Sequence, residues 1–473
     1  MSIRIIALYI VITALAAYAW KDWFKSLCGL ILLMAFMAHE DMPKNIAGIQ
    51  GLNLWNVLFA NVFLVYLLSR RRQGLRWDLP CYFNWLLVLY LVVIVVGVMR
   101  AIFDRRNIPD IPLADLVSDE LINTVKWVFP ALLVYDGCRT RSQAQLVFVT
   151  LLLLQFFIAA QIVKKMPLSM AFGTMDRQYM RDRRRLSDEL GFSADDMSTV
   201  LAGTSWGIVA ALPLVRKKKY KLMLLPAVGL VILGQAMTGG RAGYAAWGAT
   251  GLIMCALKWR KCLLLAPVAV MLLPVVFPAA AERMMVGFGE KDASGQISRD
   301  DNKITSGRSR IWPFVIDKIG TSPLIGHGRL AMKRTGLTAK MRNDLGESFP
   351  HPHSMYLETL LDNGLLGAIP IALFWGTVLV LSGRLFRMED PLHSAIGGLT
   401  LALVLTQLIS GVGSQHYYPT ESKMAHWVAM LLTLRIYYDE KRRQLGGLLS
   451  ENPIESPAIA KQPAPALCHE EFL

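Results

Sequence analysis

Charge is scarce in this sequence, and acidic charge is the scarcest. Only 18% of its 473 residues are charged, and 35 Asp and Glu face 50 Lys and Arg. Soluble domains carry about a quarter charged residues, so an ordinary soluble chain is excluded. Cysteine is sparse as well. Cys28, Cys81, Cys138, Cys255, Cys262 and Cys468 lie mostly in or beside apolar runs and form no C-x-x-C, which indicates neither a zinc site nor a disulfide framework. No stretch alternates apolar and polar residues over ten positions as a membrane barrel requires. No internal repeat of the kind that builds many transporters is visible, and no room is left for a separate soluble catalytic domain.

What the chain does have is apolar length. Hydrophobic residues make up 54% of it and the mean hydropathy is +0.40. A bilayer crossing takes about 20 mostly apolar residues, and candidate runs lie near 3–20, 24–38, 51–69, 82–100, 119–137, 144–163, 196–215, 222–237, 242–257, 262–280, 355–382, 393–413 and 423–437. The expected fold is an all-α polytopic integral membrane protein with twelve to thirteen transmembrane helices. The N-terminal run has a signal-peptide-like core without an A-x-A-type site, and reads as a retained span. The net charge of +15 belongs to orientation and not to nucleic acid. SRRRQGLR (69–76), RKKKYK (216–221), KWRK (258–261), GRLFR (383–387) and EKRRQ (440–444) mark cytoplasmic loops. Residues 1–443 form one membrane domain, and 444–473, rich in Pro and Ala, form a disordered cytoplasmic tail. Alternation then leaves 101–118, 164–195 and a large loop at 281–354, before the last three spans, on the outer side. Within that loop, RIWPFVIDKIG (310–320) reads as an amphipathic helix on the membrane surface.

Polar candidates gather on the outer side. Arg241 in TGGRAG lies between two apolar spans, where an arginine needs a cavity or a partner; a snorkelling helix-end arginine is the plain alternative. Arg308 and Arg310 in SGRSRIW suit a grip on phosphate oxygens, or simply a solvated face. RQYMRDRRR (177–185) holds five arginines in nine residues. Its Arg181 and Arg184 are candidates for an anionic lipid head group or a membrane surface. His351 and His353 precede an apolar run, with Ser354 placed to cap it. At a helix N-terminus the macrodipole disfavours an imidazolium and keeps the ring neutral, as a general base requires; a histidine merely marking the interface is the alternative. Asp344 and Glu347 stand nearby without a recognised metal-ligand spacing. Glu40 and Asp41 in HEDMP offer an acidic pair at an outer loop, the metal-binding alternative to the histidines.

His353-Ser354, nine residues, then Gly364-Leu-Leu-Gly367 resembles the H-[NSQ]-x9-G-x-x-G signature of bacterial O-antigen ligases. Ser306-Gly307-Arg308-x-x-x-Trp312 and Pro323-Leu-Ile-Gly326-His-Gly328 are similar to that family's GR-x-x-x-W and P-L-x-G-x-G segments, and TGGRAG to its arginine at the outer end of a central span. The resemblance covers about 195–437 and extends to O-antigen polymerases and protein O-oligosaccharyltransferases. It implies a metal-independent, inverting glycosyltransferase with no cofactor, in the bacterial inner membrane with its site on the periplasmic face. The donor would be an undecaprenyl diphosphate-linked glycan, and the acceptor a glycolipid (lipid A–core, for a ligase) or a growing glycan, as in exopolysaccharide synthesis. His353 would remove the acceptor's proton while Arg241 and Arg308 neutralise the departing diphosphate; His351 and Arg310 would be accessory. A transporter of the same lipid-linked glycan is the alternative of another class, and calls for mid-bilayer polar residues where this sequence places them at one face.

Overall fold

In the computed structural model, the described residues are 3–37, 45–46, 51–174, 177–288, 290–291, 297–298, 301–414 and 416–451. Glu40, Asp41 and the chain from 452 onward lie outside them. The fold is all-α and polytopic. The helices that matter below are α1 (Ile3–Ala19), α2 (Trp23–Met37), α3 (Leu54–Arg70), α4 (Cys81–Phe103), α5 (Phe129–Gly137), α6 (Arg141–Lys165), α7 (Arg177–Leu190), α8 (Ala194–Ala211), α9 (Lys218–Ala236), α10 (Arg241–Leu257), α11 (Ala266–Val276), α12 (Pro278–Met285), α13 (Arg308–Gly320), α14 (Leu337–Leu345), α15 (Met355–Arg387), α16 (Pro391–Ser410) and α17 (Met424–Glu451). The only strands among the described residues are a two-residue antiparallel ribbon, Glu290–Lys291 with Ile297–Ser298.

Among the described residues, six helices are long and apolar enough to cross a bilayer, or seven if the pair Arg260–Val276 and Pro278–Met285, bent by 104°, counts as one, and three shorter apolar helices stand beside them. Not every apolar run of the sequence is one continuous helix, because hydropathy does not register where a helix stops. The helices over α1 to α3 are apolar but have 15 to 17 residues, short of the ~20 that a crossing takes. The run at 119–137 is cut into a π-helical stretch at Leu116–Ile122, a 3-10 turn at Lys126–Val128 and the nine-residue α5. At the other end of the chain, α17 stays helical to Glu451, so the tail expected from 444 begins as helix.

The centre is α8 against α16. Gly203 and Gly207 on α8 let the backbones close: a Cβ on Gly203 would lie 2.9 Å from the Leu403 Cα. Small residues in this spacing replace the missing hydrophobic drive between helices in lipid with close van der Waals contact. Buried threonines here are satisfied within the bundle. Thr406 donates to Ala402 O, and Thr433 on α17 donates to Thr400 at 2.8 Å.

The two ends of the bundle differ. At one end the basic loops meet in an ion-pair network: Arg139 with Asp78 and Asp136, Arg435 with Asp78 and Asp439, Arg442 with Asp78, and Arg70 with Asp136. Arg141–Asp390 and Lys258 bonded to Phe386 O extend it. The 23 residues of α4, about 34 Å of helix, run from this end to the other. There Arg100 donates to the carbonyls of Ile325 and Gly326, and a cap built from 301–350 covers the bundle. The amphipathic expectation for the cap holds. α13 buries Ile311 and Val315 against Ala331, Met332, Leu337, Met341 and Leu361.

The cap is anchored by a broken helix. At Gly364, α15 adopts φ 60° and ψ −168°, a conformation open only to glycine. The carbonyls and N–H groups freed by the break pair with the segment Pro323–Gly328. Leu365 and Leu366 donate to Pro323 O and Leu324 O at 2.9 Å each, while His327 and Gly328 donate to Leu361 O and Asp362 O at 2.8 and 2.6 Å. Gly326 fits because a Cβ there would lie 2.5 Å from the Gly364 nitrogen. The P-L-x-G-x-G and G-x-x-G motifs are thus two halves of one joint. Gly364→Ala forces both an L-residue into this conformation and a methyl into the Leu324 carbonyl. It is expected to cost at least about 2 kcal/mol, read as a lowered unfolding midpoint in detergent. Gly376→Ala, on the same helix with open space beside it, should leave the midpoint unchanged or raise it.

Candidate functional site

Pro350 and Pro352 flank His351 and keep the chain out of helix until α15 can start. The turn is held from two sides. Trp312 on α13 donates its indole N–H to Pro352 O at 3.1 Å, and Met355 N–H bonds Gly411 O at 2.9 Å. Ser354 occupies the N-cap position but its hydroxyl makes no capping bond, so the start of α15 is fixed by these tertiary contacts and not by the expected side-chain cap. His353 sits immediately before it at φ +53°, a strained conformation for a residue with a Cβ, worth about 1–3 kcal/mol. Its ring lies 4.1 Å from that of His351, centroid to centroid. Burial first, then the nearby His351 and Arg308, holds the His353 imidazole down to about 4.

One of the predicted arginines lies beside this histidine and a second holds the loop before it. Arg308 opens α13 and lies within electrostatic reach of His353. One of its N–H groups bonds Thr305 O at 3.0 Å, and its buried Nε has no hydrogen-bond partner among the described residues. Most of its five donors therefore remain for a ligand. Arg241, the first residue of α10, reaches over the membrane end of the bundle to the cap, donating to Lys303 O at 2.9 Å and to the Ser306 hydroxyl. It thereby fixes the loop from which Arg308 projects. Gly243, two residues later, packs directly on Ser198 of α8.

The remaining arginine candidates separate. Arg310 is exposed and tied to α14, with Glu347 at 3.3 Å and Leu345 O at 3.2 Å, away from Arg308. Arg181 and Arg184 are exposed on α7. The member of that run which enters the site is Arg183, paired to Asp195 at 2.6 Å and donating to Thr238 O. Asp195, in the first turn of α8, lies within electrostatic reach of Arg241, Arg308 and His353.

A cavity of about 460 Å³ opens beside His353, lined by both histidines, Asp195, Asp196 and a polar wall that includes Arg329, Glu358, Asp362 and His416. This falls within the usual size range of small-ligand sites. Arg329 follows the P-L-x-G-x-G joint and is held by Glu120 at 2.6 Å, by Glu358 and Asp362 at 3.5 Å each, and by the face of Tyr418 at 3.7 Å. Asp362 accepts from Tyr418 OH at 3.0 Å and from Ala331 N–H. Sequence reasoning missed this wall. Glu358 and Asp362 lie four apart inside the nine-residue spacer of the histidine signature, and that helical spacing was the available signal. Among the described residues the three non-glycine positions with positive φ are Ser306, Leu330 and His353. The first bonds Arg241 and the other two line the cavity, so backbone strain is concentrated at this site.

Residues 226–372 match the family model described as O-antigen ligase. No curated protein matches the chain. The matched stretch holds Arg241, Arg308 and His353 together with both halves of the glycine joint. Over those residues this multi-pass membrane protein is similar to the O-antigen ligase family, consistent with the ligase and polymerase superfamily and with glycan transfer at family level.

Proposed function

We propose that this protein transfers a glycan from undecaprenyl diphosphate to an acceptor hydroxyl on the periplasmic side of the inner membrane, without a metal and with inversion, as a ligase acting on lipid A–core. The observation that carries the reading is the meeting of His353, Arg308 and Arg241 around Asp195, at the end of the bundle opposite the basic loops. Basic loops mark the cytoplasmic side, which supports a periplasmic site. In one displacement, His353 takes the acceptor's proton, the acceptor oxygen bonds to the anomeric carbon, and the carbon–oxygen bond to phosphate breaks. Its electron pair leaves on the diphosphate, where Arg308 and Arg241 meet the charge. A polymerase or a protein O-oligosaccharyltransferase uses the same arrangement with another acceptor.

The surface glycan of a deletion strain separates these readings. Long chains that persist on the carrier and never reach lipid A–core, restored by the wild-type gene, identify a ligase. Single repeat units on the acceptor identify a polymerase, and a normal profile in the deletion strain contradicts both.

The low pKa of His353 has a kinetic consequence. A depressed pKa keeps the ring neutral, hence able to accept a proton, as the medium is acidified. The acid limb of kcat/KM, which reports the free enzyme, is expected near pH 4 instead of near ~6.5 for an ordinary imidazole. A bound diphosphate offsets Arg308 and raises the ring's pKa, so the limb of kcat should lie at higher pH. A kcat/KM limb at the ordinary imidazole value contradicts the assignment of His353.

A further inference from the structure

Arg177, Arg181 and Arg184 are the part of the arginine run that the transfer chemistry does not use. α7 is amphipathic. It buries Tyr179, Asp182, Leu186 and Leu190 on one face, and the three arginines stand exposed on the other at i, i+4 and i+7, a stripe about 10 Å long. The other two arginines of the run are engaged within the protein, Arg183 on Asp195 and Arg185 on Glu189. Among the described residues the stripe makes no ion pair, not even with Asp188, which shares its face one turn beyond Arg184.

The position of α7 decides what this stripe meets. The helix is tied to helix ends on the cap side of the bundle: Glu189 to Lys165 at the end of α6 at 3.3 Å, Arg183 to Asp195 at the start of α8, and Arg183 again to Thr238 O between α9 and α10. Since α6 and α8 are long and apolar enough to cross a bilayer, α7 lies where they leave it. The chain leading into α7 is apolar and exposed at Leu168 and Phe172. Phe172 stacks on Phe277, centroids 5.8 Å apart, where the exposed apolar helix α11 ends. An arginine stripe beside such an apolar edge faces the headgroup layer. Cations on the side away from the basic loops run against the usual charge bias, so the stripe does not serve orientation.

We propose that this stripe binds the phosphate groups of anionic phospholipid in the leaflet on the cap side, and that the contact steadies the Arg183–Asp195 pair behind it. Guanidinium forks match phosphate oxygens bidentately. Each arginine at an anionic surface contributes about fivefold to the affinity. Arg183 stands between Arg181 and Arg184 in the chain, so a lipid held by its neighbours limits the movement of the helix that carries it. The lipid contact stands on geometry alone; its effect on the site rests on the transfer reaction proposed above.

The test places the full-length protein in nanodiscs of phosphatidylcholine, with or without phosphatidylglycerol, and modifies its arginines with phenylglyoxal, read by peptide mass. Phosphatidylglycerol should slow labelling of Arg177, Arg181 and Arg184 about fivefold, and the protection should fade as salt rises. Arg342, exposed on the cap helix α14, is the control and should label equally in both discs. Inorganic phosphate added to phosphatidylcholine discs should protect none of them. Transfer by wild type should be severalfold faster with phosphatidylglycerol. A triple variant, Arg177→Gln with Arg181→Gln and Arg184→Gln, should match wild type in phosphatidylcholine and gain nothing from phosphatidylglycerol. The corresponding lysine variant should keep part of the gain. Equal labelling of the stripe in both discs overturns the proposal. So does protection by inorganic phosphate, which marks a site for a soluble anion. A triple variant that still responds to phosphatidylglycerol, or a wild type that does not, overturns the link between lipid and site. A triple variant slower than wild type in phosphatidylcholine, with a lowered unfolding midpoint, assigns the stripe to stability and overturns it as well. Wild type that transfers nothing in either disc contradicts the proposed function, and labelling then decides the lipid contact by itself.

Discussion

Replacing His353 with alanine is expected to reduce glycan transfer by about 10²–10⁴-fold while leaving donor affinity near that of wild type. Three features point to this residue and not to its neighbour. It alone of the two histidines has the strained positive φ, it stands directly before α15, and its ring is the one within reach of Arg308 and Asp195. His351 is the control: its ring is close, at 4.1 Å, but exposed. His351→Ala should lower the rate far less, and the double variant should be no slower than His353→Ala alone. The measurement is single-turnover transfer by purified protein. A His353→Ala variant that restores the wild-type surface glycan removes the general base from the mechanism and makes His351 the next residue to test.

Arg308→Ala should lose about 10²–10³-fold in kcat, or roughly 3–4 kcal/mol of transition-state stabilisation. Its guanidinium is partly buried, with most of its donors unspent, so it is prepared for charge that develops as the diphosphate leaves. Lysine is not expected to rescue it, because one compact ammonium cannot reproduce the planar fork. Arg241→Ala should be at least as damaging for a compound reason. It removes a guanidinium from the cluster and also frees Ser306 and the Lys303 carbonyl, which hold the loop carrying Arg308. The two effects separate kinetically. Loss of charge alone lowers kcat, whereas a loosened loop also weakens binding of undecaprenyl diphosphate. Arg310→Ala, with its side chain engaged on α14, should be close to neutral; a loss comparable with that of Arg308 contradicts the division of roles.

The local parts of this structure were legible in the sequence and the tertiary ones were not. The amphipathic pattern of 310–320 appears as α13, and HPHS marks the start of α15 because proline and helix cannot share a stretch. Apolar composition identified helices that pack in lipid, yet the breaks at Phe277 and Gly364 left no hydropathy signal. A glycine inside an apolar run reads the same whether the helix passes through it or stops there. The two glycine motifs were visible as spacings, but their meaning is a pairing between residues 323–328 and 361–366. That pairing depends on a fold that brings distant backbone together. The same holds for the polar wall. Arg329, Glu120, Glu358 and Asp362 are unremarkable in separate segments and become a site only when Tyr418 and His416 close over them.

The joint at Gly364 also orders assembly in time. Synthesis runs from the N-terminus, so Pro323–Gly328 is made before α15. Until that helix is made, the Pro323 and Leu324 carbonyls and the His327 and Gly328 N–H groups lack their partners on it. α15 in turn carries backbone groups at Leu361–Leu366 that only this segment satisfies, and a backbone group left without a partner away from water is costly. Each half is incomplete until the other arrives, so the cap cannot close before α15 has been made. A chain interrupted before α15 carries Arg241 and Arg308 without the second half of the joint.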